Sequence, residues 1–142
     1  MASLNAHPPF RHTLRVYWED TDAGGVVFYA NYLKFFERAR TEWLRSLGFV
    51  QERLRTDTGT MFVVTDTSLR CRRPARLDDL LEVTVRPVET GRASMRLAQQ
   101  ALRSGAGGDP ELLAEGDVRI GCVQIGTLRP RRIPNEILQA LK

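Results

Sequence analysis

Apolar residues recur at helical spacing between positions 32 and 47 of the chain. The set is Tyr32, Phe35, Phe36, Ala39, Trp43 and Leu47, and charged residues fill most of the opposite face. Apolar residues three or four positions apart line one side of an α-helix. The pattern therefore predicts an amphipathic helix of four to five turns. Gly48 is expected to end it in the left-handed conformation that is common after helices.

Beyond position 60 the apolar residues recur at every second position, which is the spacing of a β-strand. The first run has the predicted inward face Met61, Val63, Thr65, Thr67, Leu69 and Cys71. Two more runs begin at Leu81 and Leu112, and a weaker one covers residues 93–103. Short turns separate these runs, so we expect antiparallel neighbours. A further short strand is predicted at residues 13–18, ahead of the helix.

One helix followed by four or more antiparallel strands can bury its apolar side only where the sheet wraps around it. The sequence therefore predicts an α+β architecture. A chain of 142 residues with 42% hydrophobic composition is long enough for one domain with a core. We expect a flexible lead-in over residues 1–12, a single domain over residues 13–142, and a short closing helix after Pro134.

The formal net charge of +4 comes almost entirely from arginine, because Lys34 and Lys142 are the only lysines. Two arginine clusters stand out: Arg70, Arg72, Arg73 and Arg76, and later Arg129, Arg131 and Arg132. No nucleic-acid-binding motif accompanies them, and acidic residues are interleaved with them. Since arginine binds phosphate through two parallel hydrogen bonds, the clusters indicate either a phosphorylated small ligand or a solvated surface.

Neither the apolar runs nor the cysteines indicate a membrane span or a metal centre. No apolar run approaches the roughly 18 residues of a membrane-spanning helix, and no secretory leader pattern is present, so we expect a cytoplasmic protein. Cys71 and Cys122 lie far apart without a C-x-x-C pair. They predict no disulfide framework and no zinc site, and both are expected to be buried thiols in strands.

The positions of the two histidines exclude the commonest hydrolytic machinery. Ser-His-Asp and Cys-His sites need a histidine beside the nucleophile, whereas His7 and His12 both lie in the expected lead-in. The chain also lacks a G-x-S-x-G elbow, a Walker loop, a dinucleotide fingerprint and an H-E-x-x-H motif. What remains is the carboxylate chemistry of Glu19, Asp20 and Asp22, just before the predicted helix.

The carboxylates of "EDTDAGG" lie where a helix N-terminus offers unpaired backbone N–H groups with partial positive charge. One interpretation is that Asp20 or Asp22 caps the turn, a position that Asp often occupies. The other is that one Asp acts as base or nucleophile while the helix start stabilises an oxyanion. In that case the turn at Gly25 and Val26 is expected to contact the substrate. The local pattern leaves both interpretations open.

The stretch "EDTDAGGVVFYANYLKFFERARTEWLRSLGF", together with "RRPARLDDLLEV" at residues 72–83, resembles the hotdog-fold acyl-CoA thioesterases. The likeness is to the YbgC-like, Tol-Pal-associated group of the 4-hydroxybenzoyl-CoA thioesterase family, and it runs over most of residues 13–130. It implies a long helix wrapped by an antiparallel sheet, and cytoplasmic homodimers or homotetramers built on dimers. It also implies hydrolysis of acyl-CoA thioesters without metal or cofactor.

The resemblance also assigns roles to individual residues. The catalytic carboxylate is the second Asp of the D-x-D pair, which is Asp22, and the helix-start N–H that stabilises the oxyanion falls on Tyr29. Members of this group often have a histidine where this chain has Tyr29, a difference that keeps the backbone donor. The arginine clusters and the "TGRAS" stretch supply a separate expectation, which is that Arg72, Arg73, Arg92 and Arg131 bind the phosphates of CoA.

Two alternatives to a hydrolase stay open. The first is a non-hydrolytic module that binds acyl-CoA or acyl carrier protein, with Asp22 as a structural cap. The second is a hotdog dehydratase, which would need a catalytic histidine in the strand-helix region, where this sequence has none.

Overall fold

The computed structural model describes residues 8–105 and 107–142. Its elements are β1 (Phe10–Arg15), a 3₁₀ turn (Trp18–Asp20), α1 (Asn31–Ser46), α2 (Gln51–Thr58), β2 (Thr60–Cys71), β3 (Leu80–Thr90), β4 (Ser94–Arg103), β5 (Glu111–Gln124) and α3 (Asn135–Ala140). The long helix, the four later strands and the closing helix occupy the places that the sequence pattern predicted. Helix α2 escaped prediction because none of its eight residues is buried. No helix in the described ranges is long and apolar enough to cross a membrane.

The five strands form one antiparallel sheet in the order β1-β3-β4-β5-β2, so that β1 and β2 are its edges. Helix α1 packs on one face of this sheet, with Phe35, Phe36 and Ala39 completely buried. Leu81 and Val83 of β3 are equally buried beneath it. The predicted α+β architecture is confirmed, since the sheet covers the apolar side of a single long helix.

Gly48 ends α1 as the sequence predicted. Its φ angle is 96°, in the left-handed region, and its N–H donates to the Arg45 carbonyl at 3.0 Å. The following N–H, of Phe49, donates to the Leu44 carbonyl at 2.9 Å. These bonds satisfy carbonyls that the end of a helix leaves open.

The predicted inward face of β2 is wrong over part of its length. A register shift between Val64 and Asp66 in the pairing with β5 inserts an extra residue, and such a bulge reverses which side chains face the core. Phe62 packs against the core before the bulge and Leu69 does so after it. In a regular strand an even-numbered and an odd-numbered residue would lie on opposite faces. Residues 64–68 are all exposed, so the middle of β2 is an open sheet edge.

Strand β1 lies earlier in the chain than predicted. It pairs with β3 from Phe10 opposite Val85 to Arg15 opposite Leu80, rather than covering residues 13–18. His12 lies between Phe10 and Leu14 on the half-buried side of the strand, which hid the apolar alternation. The last three residues of the expected lead-in therefore belong to the sheet, and its first seven lie outside the described residues.

The two cysteines differ in environment. Cys122 is buried in β5, as predicted, whereas Cys71 is exposed at the end of β2. The expectation of a buried thiol is wrong for Cys71 because β2 is an edge strand, with a neighbouring strand on one side only.

A buried amide connects the sheet to α1. Gln99 of β4 is only 1% exposed, and its Oε1 accepts a hydrogen bond from Arg40 Nη1 at 2.9 Å. Its Nε2 donates to the carbonyls of Phe36 at 3.0 Å and Thr84 at 3.3 Å. Burial lowers the pKa of Arg40, and the nearby charge of Glu37 opposes this effect. Gln99 thus supplies a polar partner to a cation that packing has partly removed from water.

Candidate active site

The segment that joins the 3₁₀ turn to α1 is folded back on itself. We call residues 21–27 the carboxylate loop. Within it the Asp22 N–H donates to the Val26 carbonyl at 2.9 Å. The Val27 N–H donates to the Ala75 carbonyl at 2.8 Å, which attaches the loop to the turn before β3. One local bond therefore shapes the loop, and one long-range bond anchors it to the turn before β3.

Asp22 lies at the exposed tip of the carboxylate loop. Its Oδ1 accepts the Gly24 N–H at 2.8 Å, and its carbonyl accepts the Gly25 N–H at 3.0 Å. Gly25 has a φ angle of 78°, a conformation that glycine adopts without strain. Within the described residues Oδ2 of Asp22 has no hydrogen-bond partner. Asp22 is therefore a turn residue and also a carboxylate with a free oxygen, so the two interpretations do not exclude each other.

Asp20, the first member of the D-x-D pair, points into the fold. It is 6% exposed, and its Oδ2 accepts the Tyr17 N–H at 2.8 Å. Its carbonyl accepts two further bonds, from the Phe28 N–H at 3.1 Å and from Asn31 Nδ2 at 2.8 Å. A carboxylate held in this way serves the fold, so the geometry distinguishes the two Asp residues where the local pattern alone left both open.

The two residues just before α1 leave backbone donors open. The Asn31 N–H donates to the Phe28 carbonyl at 2.8 Å and the Tyr32 N–H to the Tyr29 carbonyl at 3.2 Å. Ala30 occupies the N-cap position, and no side chain caps the helix there. In the described part of the chain the N–H groups of Tyr29 and Ala30 have no acceptor. Open N–H groups at a helix N-terminus can stabilise an oxyanion.

A cavity of about 290 Å³ adjoins this helix start. It is lined by Val26, Val27, Tyr29, Tyr32, Cys71, Arg72, Arg73 and Pro74. Asp22 is not among the described residues of its wall and lies on the adjoining loop. A cavity of the same volume lies at the other end of α1 beside Trp43 and Leu47, where there is no helix N-terminus. The cavity at Tyr29 combines apolar walls with guanidinium groups, which suits an amphipathic anion.

Two of the predicted phosphate-binding arginines lie at this cavity, and each has a carboxylate partner. Arg72 Nη2 is 2.7 Å from Glu115 Oε1, and Arg73 Nη1 is 3.0 Å from Glu111 Oε1. The Arg73 side chain is 66% exposed. Exposed ion pairs of this kind contribute little stability, so a multiply charged phosphate can compete for these arginines.

The other two predicted arginines lie at the opposite end of the sheet. Arg92 is in the turn between β3 and β4, and Arg131 Nη1 donates to the Thr58 carbonyl at 2.9 Å, just before β2 begins. Strand β2 has 12 residues and so spans about 36 Å, at about 3.3 Å per residue, before it reaches the cavity at Cys71. Within one chain the structure does not bring these two arginines to Asp22.

Two residues at the start of α1 were missed by sequence reasoning about the site. Tyr32 is 2% exposed, and burial raises the pKa of its hydroxyl while a backbone hydrogen bond from Ala75 lowers it. Helical spacing had assigned Tyr32 to the core, although its place one turn after Tyr29 could have indicated a cavity wall. Asn31 belonged to no pattern, and its contact with Asp20 is visible only in the structure.

Comparison with known proteins adds independent observations. Residues 16–141 match the model of the thioesterase-like superfamily. The chain is 40% identical over 131 residues to acyl-CoA thioesterase YbgC of Haemophilus influenzae, covering 92% of this chain and 93% of the relative. It is 33% identical over 134 residues to acyl-CoA thioesterase YbgC of Helicobacter pylori, covering 89% and 98%. A probable thioesterase from Bartonella henselae has a similar structure, with a TM-score of 0.81 and 33% identity over 89% of this chain and 100% of that chain.

Proposed function

The chain belongs to the thioesterase-like superfamily, has the hotdog fold and is a thioester hydrolase, and on that premise we propose that it hydrolyses acyl-CoA through Asp22 and the start of α1. The observation that carries this proposal is the pair of open donors at Tyr29 and Ala30, beside a cavity and an exposed carboxylate. A thioester hydrolase needs an oxyanion site, a base or nucleophile, and room for the acyl group. The relatives named acyl-CoA thioesterase support the substrate class.

In this mechanism the thioester carbonyl oxygen lies against the open N–H of Tyr29. When the carbonyl carbon is attacked, negative charge develops on that oxygen, and the partial positive charge of the helix start stabilises it. Donors of this kind contribute about 10²–10³-fold to kcat where they can be removed. Because the donor belongs to the backbone, Tyr29→Phe should keep most of the wild-type kcat.

Asp22 has two chemically complete routes. As a base it takes a proton from water, the hydroxide oxygen bonds to the carbonyl carbon, and the C–S bond breaks as Asp22 returns the proton to the CoA thiolate. As a nucleophile it bonds to the carbonyl carbon itself, expels CoA, and leaves an anhydride that water hydrolyses. A peptide that carries Asp22 and gains the mass of the acyl group during turnover would identify the second route.

We propose that the phosphates of CoA bind at the arginine rim of the cavity. Arg72 and Arg73 lie there already, and their partners Glu115 and Glu111 are about one third exposed, so a phosphate can compete with them. Arg131 can reach the same place only from a second copy of the chain. An antiparallel pairing of two β2 edges would put the start of β2 in one copy, with its Arg131, beside Cys71 in the other. Arg92 lies in the turn between β3 and β4, and β5 separates β4 from β2, so this pairing brings Arg92 less close to that cavity than Arg131.

The open edge at residues 64–68 supports such an assembly, because unpaired edge groups are usually covered or paired. We propose a homodimer or a dimer of dimers, of about 32 or 64 kDa, as multiples of the 16.1 kDa chain. Sedimentation at micromolar concentration during turnover tests this. A monomer with full activity would contradict it.

The activity itself is tested by release of free thiol from a series of acyl-CoA esters that differ in chain length and aromaticity, with an acyl carrier protein thioester included. We expect turnover of at least one ester. Saturable binding without thiol release from any substrate would instead support the non-hydrolytic binding module.

The role of Asp22 is tested by Asp22→Asn, which keeps the Oδ1 acceptor of the Gly24 bond and removes the charge and basicity. The kcat should fall by a factor on the order of 100 or more, with fold and oligomer unchanged. Glu19→Gln is the matched control, since Glu19 is exposed in the same segment and should keep its activity. Asp20→Asn cannot serve as a control because Asp20 is buried. Retention of most of the wild-type kcat by Asp22→Asn would remove Asp22 from the chemistry.

A further inference from the structure

We propose that Asn31 is a positioning residue for this site, and that it holds the carboxylate loop with Asp22 at a fixed place relative to the open donors of α1. The inference rests on the proposed function. Asn31 acts through Asp20 and touches neither the substrate nor the reacting atoms. Its effect is on the geometry of Asp22.

The contact is direct and joins two elements. Asn31 Nδ2 donates to the Asp20 carbonyl at 2.8 Å, and the same carbonyl accepts the Phe28 N–H at 3.1 Å. The Asn31 N–H donates in turn to the Phe28 carbonyl at 2.8 Å. Asp20 is two residues before Asp22, so the first residue of α1 is connected to the entry of the carboxylate loop.

The usual role of asparagine at a helix start does not account for this side chain. An N-cap asparagine accepts a hydrogen bond from a backbone N–H of the first turn. Here Ala30 occupies the N-cap position without any side-chain cap, and Asn31 donates away from the helix to the Asp20 carbonyl. Among the described residues it makes the one side-chain hydrogen bond from α1 to the segment that carries the D-x-D pair.

The other bonds of this segment come from the backbone, and one of them, from the Phe28 N–H to the Asp20 carbonyl, shares its acceptor with Asn31. The Asp22–Val26 and Asp22–Gly24 bonds shape the loop internally. The Val27–Ala75 bond attaches it to the turn before β3. Without Asn31 the Asp20 carbonyl keeps only the 3.1 Å bond from the Phe28 N–H, so we expect the loop to gain freedom with respect to the Tyr29 N–H. A displacement of about 1 Å between reacting groups can cost about 10²-fold in rate.

The test uses Asn31→Ala, with Asn135→Ala as its matched control, because Asn135 is also the first residue of a helix and is exposed. For Asn31→Ala we expect kcat to fall at least tenfold, with KM within about twofold of wild type because substrate groups are untouched. Asn135→Ala should match wild type in both constants. An unchanged kcat in folded Asn31→Ala would overturn the proposal.

Asn31→Asp separates donation from helix stability. Aspartate has nearly the size of asparagine, and in a first helical turn it is favoured by the helix dipole, while its ionised side chain cannot donate to Asp20. Its kcat should fall at least tenfold. Full activity of Asn31→Asp would overturn the proposal even if Asn31→Ala failed to fold.

A double-mutant cycle with Asp22→Asn distinguishes positioning from general damage. If Asn31 acts by placing Asp22, adding Asn31→Ala to Asp22→Asn should lower the residual kcat by less than threefold. The same fold-loss in both backgrounds would mean a structural role only and would overturn the proposal. The proposed function fails in a different way, since wild type itself would then release no thiol from acyl-CoA.

Discussion

Replacing Gln99 by leucine tests how the helix that carries the site is held on the sheet. Gln99 is fully enclosed and has three hydrogen bonds, one of them with the guanidinium of Arg40. Leucine has a similar volume and fits the site, but it accepts and donates nothing. The substitution leaves Arg40 in a partly desolvated place without the amide oxygen.

The magnitude follows from the bonds lost. A hydrogen bond to a charged group contributes about 1.5–3 kcal/mol and a neutral one about 0.5–1.5 kcal/mol. Burying the apolar leucine returns about 1–2 kcal/mol, and the 3.3 Å bond to Thr84 belongs at the weak end. We expect Gln99→Leu to lower the free energy of unfolding by about 2–3 kcal/mol, with Tm lower by about 6–9 °C for a domain of this size.

The assay is urea unfolding followed by circular dichroism, with Arg40→Met and the double variant measured alongside. The double variant should be more stable than Gln99→Leu alone, because removing both polar partners leaves no unpaired cation. A change below about 0.5 kcal/mol for Gln99→Leu, which is the usual scale of surface substitutions, would refute the reasoning. The reasoning would also be refuted if the double variant lost as much unfolding free energy as the two single variants lose together.

Three further predictions concern packing, acid stability and phosphate recognition. A Cβ at Gly116 would lie 2.7 Å from Phe36 Cε2, so Gly116→Ala should lower the free energy of unfolding by about 1–3 kcal/mol in the same assay. A smaller decrease when Phe36 is also replaced by leucine would identify this contact as the cause. Hydrogen bonds from Arg103 and Arg73 lower the pKa of Glu111 below its ordinary value of 4.5. The stability that these bonds contribute is therefore fully present above pH 4.5 and is lost as the pH falls below that value and Glu111 is protonated. Tm should drop in that range for wild type, and Glu111→Gln should flatten the drop. Arg131→Ala should raise KM for full CoA esters and spare pantetheine esters, and equal effects on both would remove it from the phosphate site.

Much of the fold followed from sequence periodicity. The apolar spacing from Tyr32 to Leu47 located α1 because a helix is stabilised by one continuous buried side, and Gly48 marked its end through a conformation that few other residues adopt. The alternation at Leu81 and Val83 located β3 for the corresponding reason. The bulge at Val64 could not be predicted this way, because it arises from pairing with β5, some 55 residues later in the chain.

The candidate site was likewise predictable from the sequence in part. Elimination and motif resemblance together indicated Asp22 and Tyr29 from the sequence, because the chemistry depends on residue type and on proximity to a helix start. The local pattern left Asp20 and Asp22 both open and the resemblance favoured Asp22, whereas the fold shows that Asp20 is buried and Asp22 is exposed. Side-chain direction after a 3₁₀ turn depends on what the rest of the chain packs there.

The sequence by itself therefore determined which segments form α1 and most of the strands, and which residue types are candidates for the chemistry, since both depend on neighbours within one segment. The tertiary structure decided which donors stay open at Tyr29 and Ala30, where Asn31 donates, and that Arg131 lies a full strand length from Cys71 within the same chain. These properties depend on contacts between segments far apart in the sequence. Side-chain packing and strand pairing determine these properties, and a local sequence pattern contains no information about either of them.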